Sequence, residues 1–218
     1  MRSRYIVVDG LDGCGKGTQL EFLKARFASL GIGNKILFIR EPGSTKVAES
    51  IRNLLLSCSE ITSFTELLLF FASRAELMQH VVIPALKSGN AIISDRGDSS
   101  TLAFQLYARQ RFELLPAFKC LRSEVFNSPA FRSGGPDLYI FLDLAPEEAF
   151  RRMNHDTARV QTHFDRQGME FHSRVRRGFQ EFANHSGKSR IVTIDASRSP
   201  EAIHEDVWNV LREELGID

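Results

Sequence analysis

Short apolar runs, rich in β-branched residues, recur along the chain and alternate with stretches in which apolar residues follow helical spacing. The runs predict five buried strands, at residues 4–9, 35–40, 90–95, 137–144 and 190–195. After the first strand, Leu20, Leu23, Phe27 and Leu30 lie three or four positions apart before Gly31, which is typical of a helix with one apolar face. Strands and helices therefore alternate along the chain.

This alternation predicts an α/β fold, a five-stranded parallel sheet with helices on both faces. Residues 63–88 are expected to form one long helix that Pro84 kinks near its end, and residues 199–215 a closing amphipathic helix. Because parallel strands all end at the same edge of a sheet, ligands are expected beyond their carboxyl ends. We interpret residues 1–218 as a single domain.

Composition narrows the class of protein. With 43% hydrophobic and 25% charged residues, the chain fits a globular domain with a sizeable core. A net charge of +1, without a run of Lys and Arg, argues against a nucleic-acid polymer as partner. Cys14, Cys58 and Cys120 lack CxxC pairing, so neither a disulfide framework nor a zinc site is expected. Neither a leader-like segment nor an apolar span of about 18 residues stands out, so the sequence predicts a cytoplasmic protein without a membrane partner.

The first strand leads into GLDGCGKGTQ, which matches the phosphate-binding pattern G-x-x-x-x-G-K-[ST] at Gly10, Gly15 and Lys16 but not at Gly17. Glycines let backbone N–H groups curl around an anion, and a helix starting at about Lys16 points its positive end at the loop. Lys16 can then reach the terminal phosphates of a nucleotide. The residues expected to hold that nucleotide are Gly10, Leu11, Asp12, Gly13, Cys14, Gly15, Lys16, Gly17 and Thr18.

Two charged residues end later strands. Arg40 precedes a Pro-Gly turn, and its planar guanidinium matches phosphate oxygens; the alternative is a surface arginine. Asp95 lies beside the loop and can hold Mg²⁺ directly or through water, with Thr18 as a further oxygen ligand. The alternative for Asp95 is a structural carboxylate paired with an arginine.

Further motifs are similar to those of known kinases. GKGTQ resembles the loop of adenylate kinases, in which glycine follows the lysine and threonine comes next. REPGST, TELLLFFASRAELMQHVVIPALKSG and DRGDSSTLAFQ resemble the successive motifs of thymidylate kinases, and PDLYIFLDLAPEEAFRR and TIDAS extend the similarity over nearly the whole chain. The resemblance implies a P-loop NTPase fold with a short mobile lid, transfer of the γ-phosphoryl group of Mg·ATP to dTMP, and a homodimer.

The resemblance also implies roles for single residues. Lys16, Arg96 and Asp95 would be catalytic, and Arg40 and Arg96 would hold the acceptor monophosphate, with Asp12 at its sugar or the metal. The residues assigned to the base and sugar are Phe70, Arg74, Ser100, Thr101, Phe104 and Gln105. Phe70 would stack on the pyrimidine, although its place in LLLFF is also typical of a core phenylalanine.

Gly13 and Cys14 leave no arginine in the loop, so the family pattern assigns the catalytic arginine to a lid at about 153–166. Arg159 is the first candidate and Arg166 the alternative, while Arg152 is expected near the adenine. The later arginines 174, 176 and 177 are interpreted as the solvated face of a helix.

Three departures from the family pattern leave the base specificity open: His163 where the lid usually has arginine, Gly97 where His or an aromatic is common, and LYARQ after Gln105. A kinase for dUMP or a modified pyrimidine is therefore an alternative. A catalytically idle nucleotide-binding protein is a second one, and the joint presence of Lys16, Arg40, Asp95 and Arg96 argues against it.

Overall fold

A five-stranded parallel sheet forms the centre of the molecule. The chain is described from a computed structural model over residues 1–58, 60–155, 167–185 and 188–217. The strands are β1 (Tyr5–Gly10), β2 (Ile36–Arg40), β3 (Ala91–Asp95), β4 (Leu138–Asp143) and β5 (Arg190–Asp195). Their order across the sheet is β2-β3-β1-β4-β5, and every neighbouring pair is parallel. The predicted α/β sheet is confirmed, with each strand within one residue of its predicted position.

The register brings three loops together at the carboxyl edge of the sheet. Val8 of β1 lies opposite Asp95 of β3, and Arg40 of β2 lies opposite the same Asp95. The segments that follow these three strands therefore emerge side by side, as expected for a parallel sheet that binds ligands at this edge.

Helices cover both faces of the sheet. Those before β3 are α1 (Lys16–Ser29), α2 (Lys46–Ser57) and α3 (Ser63–Lys87). After β3 come α4 over residues 98–108, α5 (Leu115–Val125), α6 (Pro146–His155), α7 (Met169–His185) and α8 (Pro200–Leu215). Helix α1 begins at Lys16, as the loop pattern predicts, and Ser199 caps α8 by accepting from the backbone N–H of Ala202.

Helix α3 is continuous, but it widens before its proline. Residues Met78–Val82 form a π-helical turn, and α-helix resumes at Ile83–Lys87. Pro84 has no N–H, and in a regular helix its ring would press on the carbonyl of His80 four residues earlier, which the wider turn accommodates. The distortion thus precedes the proline, whereas the sequence predicted a kink at it.

Helix α3 is long and apolar enough, by length and composition, to cross a membrane, which the sequence analysis did not anticipate. Its buried residues, such as Leu67, Phe71 and Leu77, belong to the main hydrophobic core. Glu66 and Arg74 on the same helix are also buried, and each forms an ion pair with another part of the chain. We therefore assign α3 to the core of the domain.

Helix α7 packs closely on α4, whose second part, Leu102–Ala108, is also π-helical. A Cβ atom at Gly178 would lie 2.6 Å from the Cα of Ala103, so glycine is needed at this contact. The prediction that the arginines of α7 all lie on a solvated face is wrong for two of them. Arg176 donates to both carboxylate oxygens of Asp143 at 2.7 Å, and Arg174 donates to the carbonyl of Ala108 at 2.8 Å.

A buried ion pair crosses the space between α3 and the end of β2. Arg74, with 2% of its side chain exposed, donates through Nε to Oε2 of Glu41 at 2.6 Å. Its Nη2 donates to Oγ1 of Thr101, while Glu41 also accepts from the hydroxyl of Tyr5. Burial raises the pKa of Glu41, and Arg74 opposes that shift by favouring the carboxylate. The pair fixes the guanidinium of Arg74 before any ligand binds.

We expect Glu41→Gln to destabilise the fold by about 3–5 kcal/mol, because it leaves the buried Arg74 charge without its counter-ion. Urea unfolding at pH 7 measures the difference. The matched control is Glu49→Gln, which breaks the half-exposed pair with Arg40 and should cost less than about 1 kcal/mol.

The pH dependence of the control follows from its own shift. The Ser44 N–H and then Arg40 lower the pKa of Glu49. The stability that Glu49 contributes is therefore present above the pKa of the unfolded carboxyl and lost as pH falls through the lower folded value.

Equal destabilisation of the fold by Glu41→Gln and Glu49→Gln would contradict the importance of the buried pair.

Candidate functional site

The loop between β1 and α1 has the geometry of an anion-binding turn. Gly10, Gly13 and Gly15 have φ values of 145°, 78° and 94°, which residues with a Cβ rarely adopt. The ammonium of Lys16 donates to the carbonyls of Gly10 at 3.1 Å and Leu11 at 2.9 Å, so it lies folded under the loop. The N-terminus of α1 opens onto this loop, and its free N–H groups favour a phosphate there.

Two cavities open at the carboxyl edge of the sheet. The larger, about 820 Å³, contains residues 12–18 of the loop, and we call it the P-loop cleft. The smaller, about 160 Å³, is the inner cavity and lies between α2, α3 and α4, with Phe70, Arg74 and Phe104 in its wall. Asp12, Arg52 and Arg96 line both. These three residues therefore mark the junction of the two cavities.

Arg96 is held at this junction by a dense set of hydrogen bonds. Its Nη1 donates to Asp9 at 3.2 Å, to the carbonyl of Gly10 and to Ser100, and its Nη2 donates to Asp12 at 2.7 Å. The guanidinium also lies 5.2 Å from the ring centre of Phe104. Arg96 has a φ of 71°, uncommon for a residue with a Cβ, and these bonds compensate for that strain. The cation is thus prepositioned at the junction.

Asp9 is the buried anion beneath this arginine. It accepts from Ser99 and Ser100 at 2.7 Å each and from the N–H of Gly10 at 2.9 Å. Burial raises the pKa of Asp9, while Arg96 and Lys16 lower it by favouring the charged form. The sequence alone assigns no role to Asp9; in the structure it links the loop and the segment after β3.

The inner cavity gathers the residues that the family pattern assigned to base and sugar. Phe70 is half-buried in its wall, whereas the adjacent Phe71 is 2% exposed and packs on Phe118. Phe71 is therefore the core residue of the pair, and Phe70 is the one available to a ligand. Arg74 also lines this cavity, and its buried Nη1 has no hydrogen-bond partner among the described residues.

The residues of α4 that line the inner cavity differ in their hydrogen bonds. Gln105 and Phe104 line the inner cavity and are almost fully buried. Ser100 and Thr101 line it as well, but the Ser100 hydroxyl bonds to Asp9 and Arg96, and that of Thr101 accepts from Arg74. These two hydroxyls support the charged groups of the site rather than remaining open to a base.

Arg52 is a site residue that the sequence analysis missed. It lines both cavities and donates to the carbonyl of Pro42 at 3.0 Å. Burial, together with the nearby charges of Arg40 and Arg96, lowers its pKa. Periodicity could have identified it, because Ala48, Arg52 and Leu55 follow four- and three-residue spacing and therefore share the inward face of α2.

Three predicted residues lie outside the cavities. Arg40 is half-exposed and forms a two-pronged ion pair with Glu49, lining neither cavity. Gly10 and Leu11, predicted to contact the nucleotide, do not line the P-loop cleft either. Their carbonyls accept from Lys16 instead, because β1 continues through Gly10 and turns its backbone toward β4.

Residues that suit Mg²⁺ lie along the cleft. Asp95 lines it, and its Oδ1 is buried without a hydrogen-bond partner in the described part of the chain. Thr18 is exposed in the same cleft. Within the described ranges no three His, Cys, Asp or Glu side chains cluster as a metal cage. One carboxylate and one hydroxyl fit Mg²⁺ that is held mainly by phosphates and water, as Mg²⁺ usually is.

The far side of the cleft carries Arg151 and Arg152 on α6, both bound to Glu148 at 2.7–2.8 Å. Arg152 therefore lines the cleft, and its place at the adenine stays a prediction. Arg159 and its alternative Arg166 fall in residues 156–166, outside the described residues, as does most of the segment assigned to the lid.

The absence of an arginine in the loop has a steric reason. A Cβ atom on Gly13 would lie 2.6 Å from the carbonyl oxygen of Ala149 on α6, so no larger residue fits there. Cys14 is buried next to Lys16, and burial raises the pKa of its thiol. The thiol is therefore protonated at neutral pH and is not a nucleophile.

Comparison with known proteins agrees with this geometry. The family model described as thymidylate kinase matches residues 8–207. The thymidylate kinase of Prosthecochloris aestuarii is 38% identical over 97% of this chain and 94% of its own, and that of Chlorobaculum parvum is 39% identical over 95% and 94%. The crystal structure of thymidylate kinase from Ehrlichia chaffeensis is 28% identical and superposes with a TM-score of 0.74, covering 97% of this chain and 99% of that one. The chain therefore belongs to the thymidylate kinase family.

Proposed function

We propose that this protein transfers the γ-phosphoryl group of Mg·ATP to dTMP, giving dTDP and ADP. The observation that carries the proposal is the pair of cavities, one built on a phosphate-binding loop and one walled by aromatic rings and a buried arginine, which meet at Asp12, Arg52 and Arg96. Phosphoryl transfer requires two anionic groups brought in line with their charge neutralised. The junction offers two guanidinium groups for that purpose.

In the P-loop cleft the triphosphate would lie over residues 12–18 and the N-terminus of α1, with Lys16 reaching its terminal phosphates. Lys16 is already held under the loop by two carbonyls, so a phosphate would only have to displace these neutral partners. Asp95 and Thr18 would hold Mg²⁺, which neutralises charge on the phosphates when bound. Arg152 would lie at the nucleoside, and a lid arginine, Arg159 or Arg166, would add the remaining positive charge around the triphosphate.

In the inner cavity the monophosphate would face Arg96 and Arg52, and the pyrimidine would lie against Phe70. Arg74 would offer to a carbonyl of the base its Nη1, which has no partner in the described part of the chain, and Glu41 keeps the guanidinium in place. Phe104 would contact the sugar, while Asp12 accepts from its hydroxyl or from water on the metal. Arg40 would join the phosphate only after leaving Glu49, so we transfer the main part of its expected role to Arg52.

The reaction is tested by following ADP release from Mg·ATP with dTMP, dUMP, dCMP and AMP as acceptors. We expect dTMP to have the highest kcat/KM, and dUMP to be about tenfold or more lower because a single methyl group is worth that much in an apolar pocket. Preference for AMP, or ATP turnover that no monophosphate stimulates, would rule out the proposal. Preference for dUMP would favour the alternative acceptor within the same class.

The role of Arg52 is tested by Arg52→Ala. Removing one of two cations at the junction should lower kcat/KM for dTMP by about 10²-fold, because the transferring charge loses a prepositioned partner. Lys46→Ala is the matched control, since Lys46 is an exposed cation on the same helix that lines neither cavity. If both variants behave like the wild type, the phosphate is held elsewhere and Arg40 becomes the candidate.

We further propose that the protein is a homodimer that pairs through α2 and α3. Among the described residues, four of the exposed large apolar side chains lie on these two adjacent helices, Val47 and Leu54 on α2 and Phe64 and Leu68 on α3. Each pair shares one face of its helix, so together they form an apolar patch. A second copy of the same chain would bury it, as two-fold interfaces of this kind do.

Sedimentation velocity tests the dimer. Leu54→Glu should convert it to a monomer because the charge would be buried at the interface, whereas Leu30→Glu, at an exposed leucine after α1, should leave the dimer intact. A wild-type protein that sediments as a monomer at micromolar concentration would refute the proposal.

We place the protein in the cytoplasm. Its three cysteines are free thiols, which fits a reducing compartment, and its most apolar long helix packs one side on the core and carries two buried ion-paired residues. A single domain over residues 1–218 with a lid near 153–166 fits the same proposal.

A further inference from the structure

Gln19 lies one residue beyond the phosphate-binding loop, in the first turn of α1. It is 1% exposed and lines the P-loop cleft. Its amide nitrogen donates to the carbonyl oxygen of Pro200 at 2.8 Å, which joins α1 to the start of α8. Nothing in the phosphate chemistry described above uses this residue.

The orientation of the Gln19 amide follows from its partner. The carbonyl of Pro200 can only accept, so the –NH₂ group of Gln19 must face it. The amide oxygen Oε1 is therefore turned to the other side, where it is buried and has no hydrogen-bond partner among the residues that the structure describes. Buried acceptors nearly always have a donor, so this oxygen points to a missing one.

The walls of the cleft around Gln19 are poor in free acceptors. The carboxylates lining the cleft are mostly engaged: Asp12 pairs with Arg96, and Glu148 pairs with Arg151 and Arg152. Asp95 ends β3 beside the loop, at the phosphate end. The end of the cleft near Gln19 is formed by Ser197, Arg198, Pro200 and Ile203, which offer an apolar surface and a guanidinium held by Asp206.

A nucleoside triphosphate whose phosphates occupy the loop must extend its base along the cleft toward one of its other walls. The wall at Ile203 and Pro200 suits the flat, apolar faces of a purine, while the edge of that purine needs polar partners. The amide of Gln19 contacts Pro200 at this wall, and its Oε1 has no donor among the described residues. A purine with an amino group at position 6 can present that group as a hydrogen-bond donor.

We propose that Oε1 of Gln19 accepts a hydrogen bond from the 6-amino group of the donor purine and thereby selects ATP over donors with a 6-oxo group. A 6-oxo purine would place its own carbonyl oxygen against Oε1, two acceptors with no proton between them. The amide cannot rotate to relieve this contact without losing its bond to Pro200. The inference rests on the proposed function, because it requires a nucleoside triphosphate in the P-loop cleft.

The test measures dTDP formation with three donors that differ only at position 6 of the purine: ATP, purine riboside triphosphate, which has hydrogen there, and ITP, which has a carbonyl. For the wild type we expect kcat/KM to fall about tenfold or more from ATP to purine riboside triphosphate, and further for ITP. Gln19→Met keeps the volume but removes the acceptor, so ATP should drop to the level of purine riboside triphosphate while the latter stays unchanged. The KM for dTMP should not change.

The matched control is Glu21→Ala, at a residue of the same helix whose side chain is 70% exposed and pairs only with Lys24 in the described chain. It should keep the wild-type order of donors. If Gln19→Met lowers kcat/KM equally for all three donors, Gln19 only holds the start of α8 and the proposal is wrong. Equal use of ATP and purine riboside triphosphate by the wild type also overturns it, whether or not the variant folds.

These outcomes are separate from a failure of the proposed function. A wild-type protein that makes dTDP from all three donors equally well keeps its kinase assignment and loses only the role of Gln19. A wild-type protein that makes no dTDP from any donor loses both.

Discussion

The buried carboxylate of Asp9 is the interaction on which the arrangement of the site depends. It is the second-to-last residue of β1, is fully buried, and accepts hydrogen bonds from the loop backbone, from two hydroxyls of α4 and from Arg96. β1 and β3 are neighbours in the sheet, and this carboxylate and its partners help to hold the charged groups of the segments after these strands close together. A buried charge is tolerated only when it is paired and hydrogen-bonded, and Asp9 is both. The hydrogen bonds and ion pairs at the junction of the two cavities meet that requirement.

A second buried ion pair also fixes the guanidinium of an arginine beside a cavity. Glu41 holds Arg74 between α3 and β2, just as Asp9 holds Arg96 between β1 and β3. Arg74 is almost completely removed from water, and Arg96 is largely removed from it with 18% of its side chain exposed, which strengthens their interaction with a ligand oxygen. Both arginines line a cavity. The site therefore achieves preorganisation by storing its cations against carboxylates that lie behind them.

The sequence predicted the sheet closely because buried parallel strands are continuous apolar runs, and the start of α1 because the loop pattern specifies it. It also identified most residues around the cavities, through the family motifs. Apolar spacing alone does not separate Phe70 from Phe71, since both are apolar neighbours in one helix; only the family motif selected Phe70, and the structure shows that Phe71 packs on Phe118. Arg40 was placed at a phosphate because of its strand end, but the structure pairs it with Glu49, which the spacing of nine residues does not reveal. Arg52 was accessible through helix periodicity, whereas the roles of Ser100 and Thr101 required knowledge of which carboxylate and guanidinium lie beside them.

The ring of Phe104 contributes both to the wall of the inner cavity and to the contact between α4 and α7. One side faces the inner cavity, and the ring also packs against Phe171 and Phe179 of α7, with centres 6.3 Å away in each case. The close approach of Gly178 to Ala103 leaves no slack between these helices. A change of side-chain volume at position 104 therefore alters the contact with α7 as well as the wall of the inner cavity. The shape of the inner cavity at this ring is thus coupled to the position of the helix that follows residues 156–166.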